Sequence, residues 1–115
     1  MPLYLIRARQ TPETWQRMID NPEDRRIVSK QNEHVHDGKF HGMWYGFGDY
    51  DVYALIESPN NVAAAGFLAK QRAAGAFSEV STVCLMSVDE MLEALERAKR
   101  IDYAPPGGVQ TAPSS

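Results

Sequence analysis

The sequence lacks the features that would tie it to a membrane or to an oxidising compartment. Cys84 is the only cysteine among 115 residues, so no intramolecular disulfide can form. No segment approaches the roughly 20 consecutive apolar residues that a membrane-spanning helix needs. The apolar run at the N-terminus is too short for a secretory signal peptide. We therefore expect a soluble cytoplasmic protein that has no membrane partner.

An excess of basic charge is also missing. The formal net charge is −3 and the isoelectric point is about 5.5, whereas a protein that binds a phosphate backbone needs a positive field. We therefore expect no nucleic-acid partner. The hydrophobic fraction of 43% is ordinary for a globular protein, and the length suits a single domain.

The first third of the chain predicts a strand followed by two helical pieces. The apolar run from Leu3 to Ala8 is typical of a buried strand. Thr11-Pro12 and Asn21-Pro22 each place a capping side chain before a proline, which is the usual start of a helix. The region 12–36 should then be two helices with a break near Pro22. Gly38 should end the second, because glycine readily adopts the left-handed conformation.

The remaining elements follow from alternating aromatic runs, capping residues and glycines. A Ser87–Glu90 capping box begins the last helix, and Gly75 ends the alanine-rich one. From Asp102 the chain is rich in proline, glycine and serine, which predicts a disordered tail over 102–115. The predicted strands are Lys39–Phe47, Tyr50–Ser58 and Phe77–Met86, with a helix over about 61–74 after Asn60.

This order of elements predicts the fold. A β-α-β-β-α-β string is typical of a ferredoxin-like α+β domain, with a four-stranded antiparallel sheet and both main helices on one face. An extra C-terminal helix completes a single domain over residues 1–101. The other sheet face would be left bare with large apolar side chains on it. We therefore expect the protein to form a homodimer through that face.

The stretch GFGDYD, residues 46–51, could be a phosphate loop, a calcium loop or a turn. A phosphate loop needs a helix after its glycines, whereas a strand follows here. A calcium loop needs acids beyond Asp51, and the alternation stops there. We therefore predict a two-residue hairpin loop at Gly48-Asp49, with Gly48 supplying the positive φ of a type II′ turn.

This turn fixes the strand register and so divides the side chains between two faces. It pairs His41 with Ile56 and Trp44 with Tyr53, and the latter two aromatics should form part of the dimer core. One face would carry His41, Met43, Tyr45, Phe47, Tyr50, Val52, Ala54 and Ile56. The other would carry Phe40, Gly42, Trp44, Gly46, Asp51, Tyr53, Leu55 and Glu57.

Several motifs together resemble the GYD domain family over roughly residues 3–98. Gly48 is followed by Tyr50-Asp51, and Glu57 and Pro59 come after them. Other agreeing positions are Trp44, Gly38-Lys39, Gly75, Thr82 and Leu85. The resemblance implies a ferredoxin-like fold of the dimeric α/β-barrel type. That superfamily includes cofactor-independent monooxygenases, isomerases and lyases that act on aromatic or polyketide-like molecules between sheet and helices.

The residues suggest where such chemistry would take place. His41 is the predicted general base, because imidazole titrates near neutral pH, and Tyr45 would support it. The polar turn from Gln31 to His34 departs from the resemblance and indicates a polar pocket. His34, Gln31, Tyr50 and Met43 are the predicted substrate-binding residues. The alternative function is a non-catalytic dimer that binds a small molecule or a protein.

Two further groups of residues could have a functional or a structural role. His34, His36 and His41 with Asp37 could bind a metal, but histidines at a helix end also suit the helix dipole, and we predict no metal or cofactor. Asp51 and Glu57 would lie roughly 20 Å apart along a strand, too far for a glycosidase pair. We expect Asp51 to stabilise the turn.

Overall fold

A computed structural model describes residues 1–34 and 37–107. The strands are β1 (Leu3–Gln10), β2 (Lys39–Tyr45), β3 (Val52–Glu57) and β4 (Phe77–Leu85). The helices are α1 (Pro12–Asp20), α2 (Arg25–Gln31), α3 (Asn61–Ala73) and α4 (Val88–Ala98). The strands form one antiparallel sheet in the order β2-β3-β1-β4. This order confirms the ferredoxin-like α+β prediction.

The chain divides into two compact units, Met1–Leu85 and Met86–Ser115. The second contains α4, whose predicted capping box is present. The Ser87 hydroxyl accepts from the Glu90 amide at 3.0 Å, and the Glu90 carboxylate accepts from the Ser87 amide at 2.9 Å. The hydrogen bond from the Ser87 backbone amide lowers the pKa of the Glu90 carboxyl. Residues 108–115 lie outside the described part of the chain, so the disordered tail stays a prediction. None of the described helices is both long and apolar enough to span a bilayer.

The core lies between α3 and one face of the sheet, which we call the helix face. Alternate residues of β1, Tyr4 and Ile6, are buried there with Ile56 of β3 and Ala64 of α3. Asn60 caps α3 and Gly75 follows its end with φ +76°, as predicted. Phe40, Ala54, Phe67, Leu68 and Val80 pack against this core.

The first helical region has the predicted break but ends early. Asp24 caps α2, so α1 and α2 are separated around Pro22. However, α2 ends at Gln31 instead of continuing to residue 36. Asp37 adopts the left-handed conformation, with φ 55°. The sequence predicts this conformation one residue later, at Gly38. The Glu33 carboxylate accepts from the amide of Phe40 at 2.8 Å and so joins this turn to β2.

The predicted type II′ turn is wrong. β2 ends at Tyr45 and β3 starts at Val52, and Gly48 does not adopt the positive φ that such a turn requires. A loop over residues 46–51 replaces it, closed by the Gly46 amide donating to the Asp51 carbonyl at 2.8 Å. Two of its side chains contact residues that are distant in the sequence. Phe47 stacks on Trp15 with ring centroids 5.8 Å apart, and Tyr50 lies 4.7 Å from the Arg7 guanidinium.

A β-bulge at His41 alters the predicted faces. Met43 pairs with Ala54, Trp44 with Tyr53 and Tyr45 with Val52, as predicted. Beyond the bulge the register shifts, and Phe40, not His41, pairs with Ile56. Phe40 therefore enters the core, while His41 contacts Glu57 on the opposite face, which we call the open face. Met43 and Tyr45 share a face as predicted, but the prediction that His41 lies on the same face is wrong.

Candidate ligand-binding site

A large cavity lies within the first unit, between the helix face and the helices α1, α2 and α3. Its volume is about 1310 Å³, which exceeds the usual range of small-molecule pockets. Half-buried apolar side chains from five elements form much of its wall, namely Met18, Val28, Met43, Phe67 and Phe77. The space between sheet and helices is therefore open, and it is large enough for a drug-sized molecule.

A smaller recess of about 50 Å³ shares Ser29, Met43, Phe67 and Gln71 with the cavity. Its other lining residues belong to or pack against the core: Ile6, Phe40, Ala54 and Ile56. The recess therefore has a mostly apolar lining.

Gln10 is a buried polar residue in the wall of the cavity. It ends β1, where a register shift between Arg9 and Gln10 disturbs the pairing with β4. Its backbone amide donates to the Asp51 carboxylate at 3.1 Å, which fixes the end of the strand. The residue is only 8% exposed, yet its side-chain nitrogen Nε2 has no hydrogen-bond partner among the described residues.

Gln71 is a second amide with the same property. It lies on α3 one turn after Phe67, so the two share the helix side that faces the sheet. Its side-chain oxygen Oε1 is buried and has no partner in the part of the chain that the structure describes. Most buried polar atoms in proteins are paired, so these two atoms depart from the usual pattern. Arg7 Nε and Thr82 Oγ1 are likewise buried without a partner among the described residues, but they belong to residues that do not line the cavity.

The charged residues of the cavity wall are all solvent-exposed and balance in sign. The Arg25 guanidinium lies 2.8 Å from the Glu23 carboxylate, and Asp20 accepts from Gln16 at 3.0 Å. The described part of the wall carries three basic residues, Arg17, Arg25 and Lys70, and three acidic ones, Asp20, Glu23 and Asp37. The wall therefore has no net charge to attract an ion of either sign.

The residues predicted from sequence to form the site are not brought together. Met43 does line the cavity. Tyr45 packs against Trp15 with ring centroids 6.3 Å apart, and partial burial raises the pKa of its phenol. Tyr50 lies against Arg7 on the open face. Gln31 and His34 are exposed at and after the end of α2.

His41 is half-exposed and does not line the cavity. Its Nε2 lies 2.9 Å from the Glu57 carboxylate, and the side chains are 39% and 23% exposed. Within residues 1–34 and 37–107 no group of three His, Cys, Asp or Glu side chains could hold a metal ion, and His36 lies outside that range. The roles predicted for His41, Tyr45, His34, Gln31, Tyr50 and Met43 stay predictions.

Gln10 and Gln71 were missed, although the sequence contains a signal for each. Gln10 continues the inward alternation of Tyr4, Ile6 and Ala8 along β1. Gln71 continues the spacing of Ala64 and Phe67 along α3. A polar residue at a position that the periodicity assigns to the core is informative, because burying its amide without a partner is unfavourable.

The fold and the cavity together define an α+β domain of the ferredoxin-like class with a ligand-sized space between sheet and helices. The GYD domain family model matches residues 4–95, so the chain belongs to the GYD domain family. No curated protein matches the chain. No solved structure matches it either.

Proposed function

We propose that the protein is a small-molecule-binding domain that holds a largely apolar ligand between its sheet and its helices. The observation that supports this proposal is the open cavity of about 1310 Å³ with its apolar wall. A sealed core would have filled this space, since protein interiors are close-packed. Concave, mostly apolar cavities with a few polar groups are typical of small-molecule sites.

The cavity can be blocked at Gly66, which gives a direct test. Gly66 lines the cavity from within α3, and a Cβ added there would meet nothing within 4 Å. A Gly66→Phe variant should therefore fold and place its ring in the cavity, because glycine is the poorer helix former by up to about 1 kcal/mol. We expect it to lose binding of Nile red, a neutral apolar dye whose fluorescence rises in apolar surroundings, by at least about tenfold.

The controls separate blocking from unfolding. Ala65→Phe adds the same ring to the same helix at an exposed position that does not line the cavity, and it should bind Nile red normally. Gly66→Ala should also bind the dye, with a higher Tm. Equal dye binding by Gly66→Phe and the unsubstituted protein would contradict the proposal.

Catalysis without a cofactor is the second proposal, and the His41–Glu57 pair favours it. A carboxylate 2.9 Å from an imidazole is the arrangement that orients a general base. This pair joins the edge strand β2 to β3 on the open face, so the substrate would bind at that edge of the sheet and not in the cavity. His41→Ala should abolish turnover of an aromatic or polyketide-like substrate, measured by mass spectrometry, while Gly66→Phe leaves turnover unchanged. Full activity of His41→Ala would exclude the assignment.

We also propose that the protein forms a homodimer through the open face. Trp44 is 55% exposed on this face, which also carries the apolar residues Leu3, Leu5 and Leu55. Arg7, Arg9 and Glu79 add charges of both signs. A face that carries both signs can pair with its own copy about a two-fold axis, because each charge can meet its opposite in the partner.

A further inference from the structure

The two unpaired amides indicate which kind of molecule the cavity binds. Gln10 presents a buried Nε2 donor and Gln71 a buried Oε1 acceptor, and neither has a hydrogen-bond partner among the described residues. A buried polar atom that stays unpaired costs about 1–3 kcal/mol. A ligand that supplies both partners would remove this cost, and such a ligand is favoured over an apolar molecule of the same size.

The charge of the wall argues against an ionic ligand. Primary amides have no net charge, and the charged residues of the wall balance and lie at its exposed part. An anion or cation that binds beside the two amides would lose its hydration and would find no opposite charge in the interior of the cavity, so its binding would be unfavourable. The ligand therefore has no formal charge at the end that reaches the amides.

The apolar residues define the rest of the molecule. Phe67 and Met43 border both the cavity and the recess of about 50 Å³, which has room for a short alkyl branch. A compact apolar body would bury its surface there, and this burial contributes roughly 25 cal/mol for each Å² removed from water.

We propose that the ligand is a neutral, largely apolar carbonyl compound with its own N–H or O–H donor. Its carbonyl oxygen accepts from Gln10 Nε2, and its donor binds Gln71 Oε1. This inference rests on the proposed function, because it uses the same cavity. It adds the chemical class of the ligand and two residues that determine specificity.

Three bicyclic probes of nearly equal size test the ligand class. 2-Quinolinone carries a carbonyl and an N–H, naphthalene carries neither, and 2-naphthoate carries a negative charge. Each would displace Nile red from the full-length protein. We expect 2-quinolinone to bind at least about fivefold more tightly than the other two, since two hydrogen bonds of about 0.5–1.5 kcal/mol each amount to that factor or more.

Substitution of the amides then assigns the contacts. Gln10→Leu and Gln71→Leu should each weaken 2-quinolinone binding by about threefold to tenfold and leave naphthalene binding unchanged. Both variants should fold, because an apolar side chain of similar size removes an unpaired polar atom. Gln16→Leu is the matched control, since Gln16 is exposed on α1 and does not line the cavity, and it should bind all three probes normally.

The outcomes distinguish this inference from the proposed function. If Gly66→Phe blocks Nile red but 2-quinolinone has no advantage over naphthalene, the ligand class is wrong and the binding function stands. If Gly66→Phe blocks nothing, the binding function fails. If 2-quinolinone is preferred but neither Gln→Leu variant reduces its affinity, the amides do not recognise the ligand and the inference is overturned.

Discussion

An Asp51→Ala variant should lose about 2–3 kcal/mol of its free energy of unfolding, and its Tm should fall by roughly 10–20 °C. The Asp51 carboxylate accepts from the backbone amide of Gln10 at 3.1 Å and from the indole nitrogen of Trp15 at 3.3 Å. Each is a hydrogen bond to a charged acceptor, and both donors lose that partner in the variant. Thermal unfolding followed by circular dichroism would measure the loss.

Asp49→Ala is the control for this prediction. Asp49 is exposed in the same loop, and its backbone carbonyl, not its side chain, accepts from the Arg9 guanidinium at 3.2 Å. Removing its side chain should therefore change the free energy of unfolding by less than about 0.5 kcal/mol. Equal losses for the two variants would mean that the loop, and not the Asp51 carboxylate, determines the stability. Asp51→Ala should also weaken ligand binding, because the carboxylate fixes the backbone of Gln10.

The sequence was sufficient for the fold because each element has a local signal. Capping residues and prolines mark the starts of α1, α3 and α4, and strand alternation identifies the residues of β1 that face the core. The expected register of β2 on β3 is confirmed from Met43 to Tyr45. These features depend on neighbours along the chain, so a single sequence is enough to reveal them.

The sequence was not sufficient where distant contacts decide the conformation. The loop over 46–51 is set by Trp15 and Arg7, which lie more than 30 positions earlier in the chain. The bulge at His41 has no local signal, yet it exchanges the faces of His41 and Phe40. A one-residue change of register moves every side chain beyond it to the other face. The ligand contacts that we propose at Gln10 and Gln71 are therefore away from the histidine that the sequence singled out.

The second large effect is expected on the oligomeric state, when a residue of the open face is substituted. Trp44 lies over Gly42, where an added Cβ would come within 2.7 Å of the indole ring. The indole ring therefore lies against the surface of the sheet, and 55% of the residue is exposed to solvent. Large aromatic side chains at the centre of an interface often carry much of its binding energy. Trp44 is therefore the residue whose loss should weaken a homodimer most.

A Trp44→Glu variant should be monomeric, because each subunit would lose the indole from the interface and place a carboxylate among the apolar residues there. Sedimentation velocity should then give a mass near 12.9 kDa for the variant and about twice that for the unsubstituted protein. Phe47→Glu is the matched control. Phe47 is 88% exposed but stacks on Trp15 outside the open face, so this variant should remain dimeric. A Trp44→Glu protein that keeps the mass of two chains, or an unsubstituted protein that is monomeric, would refute the homodimer.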